Sequence, residues 1–524
     1  MISLDTVGMS PGQVFEWLNS SIRDIRERSR PTDDFWLVRF LLLRVLGFTY
    51  FFAYLSLYTQ LVPLLGRNGL TPVNGYVENL VGYFGSRTEA FIQVPSILIF
   101  HHSNEFMLGL AFLGLLISFL LLIGFGNVPM LLANWFIYLS FVKVGQVWYG
   151  YGWEIQLLET GLLAVFLVPL WDPRPFRKDN PPPVPVIWLF RWLAMRIYIG
   201  SAMIKLKGVS CWHDLTCLNR FFQTQPIPNP ISPYMHYLPS WIHRLGVLYT
   251  HIVQLLVPFL VFLRRNIRNA AGVAMLSLQV LLILTGNFSF LNWLTIVPIL
   301  AYFNDEFLSR FMPEKIVEKA ERAREQADLP TKRHYLNWIL VFVVALLSVP
   351  VVLNILSPTQ AMNTDYNRIS FVNTYGAFGS VRPQRTELVI QGTQDSTPGT
   401  GTRWRTYDIP FKPDKTSEDL YVVAPYQPRL SWQMWFASMS QPQRQPWLIH
   451  LVWKLLHNDP NALKLVGENP FKENPPEYIR ILIYRYEYAA LSSEKTWTRE
   501  RLGVWLPPVS RNSSSLRNYV KGRW

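Results

Sequence analysis

Apolar positions along this chain do not alternate or recur on one helical face through the first two thirds. They form runs, separated by short polar stretches, at roughly 36–57, 105–124, 128–148, 154–171, 185–206, 246–263, 269–286, 289–303 and 337–357. A run near 20 residues crosses the ~30 Å hydrocarbon core at 1.5 Å per residue. The pattern therefore predicts an α-helical multi-pass membrane bundle of about nine spans. The run at 289–303 is short enough to be re-entrant, and the first carries Arg39 and Arg44 near its start. From 358 the texture changes. Arg368–Val372, Glu387–Gln391, Arg403–Tyr407, Leu420–Ala424 and Tyr478–Tyr486 read as strands between Gly, Pro, Thr and Asp, and Trp432–Ala437 and Trp447–Leu456 have helical spacing. The tail 507–524 is polar and is expected to lie over the domain. This predicts a soluble, β-rich α+β domain over 358–524.

Charge adds an orientation. Arg23, Arg26, Arg28 and Arg30 precede the first run, Arg174, Arg177 and Lys178 follow the fourth, Arg264, Arg265 and Arg268 the sixth, and a basic stretch within 304–336 the eighth. Their even spacing obeys the positive-inside rule. It puts 1–34 and the linker 304–336 in the cytoplasm, the linker helical over 313–332 with mixed-sign pairs. The bundle 35–303, with its loop 207–245, and the last span 337–357 then place 358–524 on the opposite side. The N-terminus has no cleavable signal, so the first run serves as a signal-anchor. Only 16% of residues are charged, against roughly 25% in soluble domains. The net charge of +14 is carried largely by short loops between apolar runs, which reads as topology rather than nucleic-acid binding.

Ionisable groups inside apolar runs are functional candidates by default, because burying charge in lipid is costly. The densest set is Lys143, Glu154, Glu159, Arg191, Arg196 and Lys205, with Gln146, Gln156 and Lys207 beside it. The bland reading pairs Glu159 with an arginine as glue between helices; the sharper one makes the set a ligand or catalytic site. Cys211 and Cys217 are the two cysteines, with five residues between them in one loop. On an oxidising side a disulfide is the simplest outcome; a redox pair or a metal site with His213 are the alternatives, and the spacing matches neither of their usual motifs. Gln223 to Pro230 carries three alternating prolines and must run extended. Asn373-Thr374-Tyr375-Gly376-Ala377-Phe378-Gly379 reads as a strand-to-turn element, and Trp432, Trp435, Trp447 and Trp453 cluster as a domain core or as an exposed aromatic groove. P-loop, H-E-x-x-H, G-x-S-x-G and dinucleotide signatures are missing, and neither a cofactor nor a metal is expected.

Several of these stretches have a familiar wording. Tyr138-Leu139-Ser140 through Gln146, Trp153-Glu154 and Leu157-Leu158-Glu159-Thr160-Gly161 resemble the lipase maturation factor family. So do Cys211-Trp212-His213-Asp214-Leu215-Thr216-Cys217 with Thr224–Pro230, Gly286–Thr295, Val372–Ser380, Trp432–Phe436, Ile449-His450-Leu451, Asn469-Pro470-Phe471 and Leu506–Ser510. The matches run in order along the whole chain. The resemblance implies a multi-pass protein of the endoplasmic reticulum membrane with a luminal C-terminal domain. Such a protein is not an enzyme but assists secreted lipases or related hydrolases to fold and assemble. It implies client contact through the C-terminal domain, for which Asn373, Tyr375, Phe378, Trp432, Trp435, Trp447 and Trp453 are the candidates. Two cysteines are fewer than human-type members carry, which suggests a bacterial member with a periplasmic domain. More remotely the bundle is similar to that of the vitamin K-dependent carboxylase group, so the alternative is a membrane enzyme acting on a lipid- or quinone-like substrate.

Overall fold

A computed structural model describes residues 34–327 and 332–523. The arginine-rich start of the chain and residues 328–331 of the expected linker lie outside them. The apolar runs become helices, since only a helix lets a segment surrounded by apolar side chains satisfy its own N–H and C=O groups. Helix α1 spans Trp36–Leu65, α2 Asn104–Ile123, α3 Val128–Val144 and α4 Gly152–Val165. They are followed by α5 Val184–Leu206, α6 Ser240–Leu255, α7 Arg265–Thr285 and α8 Leu291–Ile299. The linker contributes α9 Glu314–Glu325, and α10 spans Lys332–Leu356. Among the described residues five helices are long and apolar enough to cross a membrane: α1, α2, α5, α7 and α10 over His334–Leu356.

The other expected spans form shorter helices. Helix α3 passes through Gly145 into a 3-10 turn at Gln146–Tyr149, and α4 has 14 residues. Helix α6 gives way to 3-10 turns at Val257–Phe262, where Pro258 cannot donate to the ladder, and α8 tightens into Leu300–Tyr302 just after Pro298. Two boundaries also differ from expectation. Helix α1 continues past 57 to Leu65, and α10 begins at Lys332, inside the stretch read as linker.

Helix α1 is the axis of the bundle, flanked by α2 and α8, and α8 in turn touches α4, α5 and α7. The α1–α2 contact is close because Gly47 has no side chain; a β-carbon there would stand 2.6 Å from the backbone nitrogen of Leu122. Small residues at such crossings let helices gain dispersion contacts where lipid offers no hydrophobic driving force. The start of α1 is capped from afar. The N–H groups of Trp36, Leu37 and Val38 donate to Asp305 at 2.7, 2.9 and 3.1 Å, a carboxylate at the positive end of the helix dipole. Helix α9 carries one expected mixed-sign pair, Arg322 with Glu318 at 3.4 Å, whereas Arg324 pairs outside the helix, with Asp34 at 2.9 Å.

Beyond α10 lies a four-stranded antiparallel sheet in the order β2-β1-β3-β4, with β1 Arg385–Thr393, β2 Arg405–Thr406, β3 Tyr478–Tyr488 and β4 Trp497–Ser510. Register sets Leu388 opposite Ile483 and Ile390 opposite Ile481. Leu388, Val389, Ile390 and Ile481 are buried, each worth about 1.5–3 kcal/mol over an exposed position. Helices α11 Arg429–Ala437 and α12 Pro446–Leu456 complete the domain, and α13 Ser514–Lys521 closes it with Leu516 and Val520 buried. The two segments read as further strands, 368–372 and 420–424, are irregular. Asparagine side chains take up their backbone instead of a ladder. Phe371 N–H donates to Asn367 Oδ1 at 3.0 Å, and Val423 and Ala424 N–H donate to Asn287 Oδ1 at 2.8 and 3.0 Å. The stretch 373–379 is likewise irregular rather than a strand-to-turn element, and the supposed polar tail from 507 begins with the last residues of β4.

Candidate functional site

Five of the six ionisable residues singled out within the apolar runs converge on the seam between the bundle and the C-terminal domain. Glu159 on α4 and Arg196 on α5 form an ion pair, both 1% exposed. The second carboxylate oxygen of Glu159 accepts from Asn373 N–H at 2.9 Å and from the Tyr375 hydroxyl at 2.6 Å, while Arg196 donates to the Asn373 carbonyl at 2.9 Å. The pair thus joins two helices and holds the segment after the last span against them. Burial, with Glu159 opposite, pushes the Tyr375 phenol well above its ordinary value, so it remains a donor. The segment needs this grip. Val372 has φ 61° and Phe378 φ 55°, a region that costs a β-branched or bulky residue of order 1–3 kcal/mol.

A second buried pair works alongside. Arg429, at the start of α11, reaches Glu154 at 2.9 Å, with neither side chain exposed. Its guanidinium also donates to the Trp148 carbonyl and lies 3.7 Å from the centre of the Tyr149 ring, while Tyr138 donates to the other oxygen of Glu154. Burial opposes the charge on Arg429, but Tyr149, Glu154 and Tyr138 outweigh it and hold its pKa above the ordinary value. Lys143 closes the row, 3.0 Å from Asp365 and 2.9 Å from the Ser370 hydroxyl. Arg191 is the exception; it donates to the Ala301 carbonyl at 2.8 Å and stacks near Trp188 and Phe35.

The loop after α5 holds the same segment from its other flank. Cys211 and Cys217 form a disulfide, and the indole of Trp212 donates to the Phe378 carbonyl at 2.9 Å. Lys205 donates to the Ala377 carbonyl at 2.9 Å. Further on, Arg385 at the start of β1 donates to the carbonyls of Gln223, Gln225 and Pro226, so the proline-rich loop is bound to the sheet. His450 on α12 meets the Leu70 carbonyl at 2.8 Å, and burial pushes its imidazole down to about 4, so it docks neutral.

Between these contacts lies a cavity of about 400 Å³, predominantly apolar, whose walls include Tyr198, Lys205, Phe221, Phe288, Phe378 and Trp432. Glu154, Glu159, Arg191 and Arg196 are not among its walls. The ionised pairs face one another and the domain, which is the arrangement of a structural seam rather than of a reaction centre.

The aromatic candidates divide. Trp432 and Trp447 are buried, as are Asn373 and Tyr375, whereas Phe378, Trp435 and Trp453 are half-buried and Phe436, beside Trp435, is exposed. Sequence reasoning missed Arg429, Arg385 and Asn287. A buried Glu154 demands a cation, but the one that answers lies 275 residues away, and spacing along the chain carries no sign of it.

The whole chain has known counterparts. The family model for the lipase maturation factor transmembrane domain matches residues 37–310, and that for the lipase maturation factor C-terminal domain matches residues 371–507. Lipase maturation factor 1 of Bos taurus is 41% identical over 93% of this chain and 91% of its own length, and that of Homo sapiens 41% over 94% and 91%. Lipase maturation factor 2 of Homo sapiens is 27% identical over 93% of this chain and 84% of its own length. No solved structure matches. Both family models fall on the two halves that the buried pairs lock together, and with identity above 40% sustained across nearly the full length, the chain belongs to the lipase maturation factor family.

Proposed function

We propose that this protein is a membrane-anchored maturation factor that assists secreted lipases, or related secreted hydrolases, to fold and assemble. The observation that carries this reading is the full-length likeness to lipase maturation factor 1. The seam adds a physical role: the bundle anchors the C-terminal domain rigidly, through buried pairs, at the membrane surface where secreted chains emerge. Binding a partly folded client there shifts it toward assembly by mass action. The enzyme alternative is not favoured, because Glu159 and Arg196 are used up in holding the segment 373–375.

Nine passes with a luminal C-terminal domain are the topology we infer. Domain contacts come from the end of α1, the corner 144–154 and the C-terminal half of α5, whereas Asp305 and the basic loops lie towards the other end of the helices. The chain carries its own reporters. Asn512-Ser513-Ser514 is an exposed N-x-S acceptor on the turn before α13, and the sequence Asn19-Ser20-Ser21, in the stretch that this topology puts in the cytoplasm, is a second acceptor motif. Asn287-Phe288-Ser289 is a third, but its side chain is buried and fully engaged. Expressed in mammalian cells, the protein is expected to show a glycosidase-sensitive mobility shift that Asn512→Gln abolishes and Asn19→Gln leaves alone. A shift that depends on Asn19 would invert the topology.

Client contact we place on the half-buried Trp435 with the exposed Phe436, and on Trp453; the buried members of the set support this face from beneath. Truncating an aromatic anchor typically removes about 2 kcal/mol, roughly thirtyfold in affinity. In cells lacking their own maturation factor, co-expression with a secreted lipase should raise secreted lipase activity. The double change Trp435→Ser and Phe436→Ser should return it toward background with the factor's abundance unchanged. Secretion equal to that with the unaltered protein would move the client site elsewhere.

A further inference from the structure

Four buried cations in this protein sit beside buried acids. Arg196 has Glu159, Arg385 has Glu387, Lys412 has Asp414 and Glu387, and Arg429 has Glu154. Lys205 is not one of them. Its side chain is 3% exposed, and among the described residues no carboxylate approaches its ammonium within ion-pair distance. Its three N–H groups go to neutral oxygens: the carbonyls of Ser201 and Ala377 and the side chain of Gln254, at 3.1, 2.9 and 3.0 Å. The Trp212 ring centre lies 5.3 Å away. Hydrogen bonds are satisfied but charge is not, and an isolated charge in a dry site is strongly disfavoured unless something neutralises it.

Lys205 stands in the wall of the 400 Å³ cavity, a size within the range of about 300–1,000 Å³ usual for small-molecule sites. The rest of that wall suits a hydrocarbon chain. Phe221, Phe288, Leu278 and Leu282 contribute to it. The last two belong to α7, whose Leu281 and Leu284 are about half exposed on the outside of the bundle, so the cavity is one helix away from the lipid-facing surface. The indole N–H of Trp432, another wall residue, is buried with no acceptor among the described residues.

From this combination we infer that the cavity binds a single-chain anionic amphipath. Its acidic head lies against Lys205, displacing the Gln254 side chain, and its hydrocarbon tail lies along the aromatic and leucine wall. Charge complementarity selects this occupant over a neutral lipid or an apolar peptide, because only an anion cancels the uncompensated ammonium. A fatty acid and an anionic lysolipid both supply that chemistry. The site rests on the cavity alone and does not require that the protein bind a lipase.

The test uses the purified full-length chain in phosphatidylcholine nanodiscs, with cis-parinarate as a fluorescent fatty-acid probe and empty nanodiscs as the blank. Saturable binding is expected. Oleate should displace the probe, and oleyl alcohol, equal in chain but uncharged, should be at least about tenfold weaker, the effect of losing one hydrogen bond between charged groups. Oleoyl lysophosphatidate acting like oleate extends the site to anionic lysolipids; oleate acting alone assigns it to free carboxylates. Lys205→Met should erase the preference for acid over alcohol. If that variant fails to fold, the comparison in the unaltered chain still decides. Equal displacement by acid and alcohol, or no saturable binding above the blank, overturns the site. Because no client is present, neither result bears on lipase maturation.

Discussion

Glu159→Leu will destabilise the folded chain by about 3–5 kcal/mol, the loss usual when one member of a buried ion pair is removed and the other charge is stranded. The change strands Arg196 and at the same time deprives Asn373 N–H and the Tyr375 hydroxyl of their acceptor. The double change Glu159→Leu with Arg196→Leu separates these contributions. Removing both charges ends the electrostatic penalty, so the double variant should melt above the single one. It should still fall short of the unaltered protein, by the docking bonds that 373–375 has lost. Thermal unfolding of detergent-purified protein reads this out. Identical midpoints for the single and double variants would mean that the stranded charge is not what destabilises the first.

Arg429→Met should have an effect of similar size with a different signature. It removes the cation beside Glu154 and the side chain that ties α11 to the corner at Trp148 and Tyr149. Unlike Glu159, Arg429 belongs to the domain, so the bundle should survive while the domain lifts from it. Limited proteolysis is the direct measurement. Bonds within 370–376, buried in the unaltered protein, should become cleavable, leaving a protected fragment that contains α1 to α10. Arg429→Lys keeps the charge but loses the planar group over the Tyr149 ring, and should show partial protection. Unchanged protection in Arg429→Met would show that the pair does not hold the domain down.

Much of this architecture is written locally. Apolar runs found their helices because a helix needs no partner to satisfy its backbone, and β1 and β3 were readable from branched and aromatic residues that fit a pleated sheet. The disulfide between Cys211 and Cys217 was readable because the partners are neighbours in sequence. Glu159 could be assigned an arginine in advance, as a carboxylate in an apolar span must have one. What was not readable shares a cause. Residues 368–372 and 420–424 have strand-like composition, but no neighbouring strand is there to pair with them, and the asparagines that bind them instead are ordinary polar residues in a list of letters. Strand β4 was not read at all, and its end at 507–510 fell in the stretch read as a polar tail; an edge strand tolerates charged residues and prolines on its unpaired side. The tryptophans could be counted but not sorted, since burial of Trp432 and half-exposure of Trp435 depend on how α11 lies against the corner at Tyr151 and Trp153.

The grip of Glu159 on Asn373 spans 214 residues, and that separation sets an order of events during synthesis. Once α4 and α5 have been made, Glu159 and Arg196 can find each other, but among the described residues the second carboxylate oxygen has no donor until the ribosome has made the segment beyond α10. Through that interval the bundle holds a half-satisfied acid in an apolar setting, and its final packing waits for the far end of the chain. A premature stop anywhere before residue 373 would therefore not release an intact membrane half lacking a domain. It would leave a bundle with its central carboxylate unfinished, a substrate for quality control rather than a working anchor.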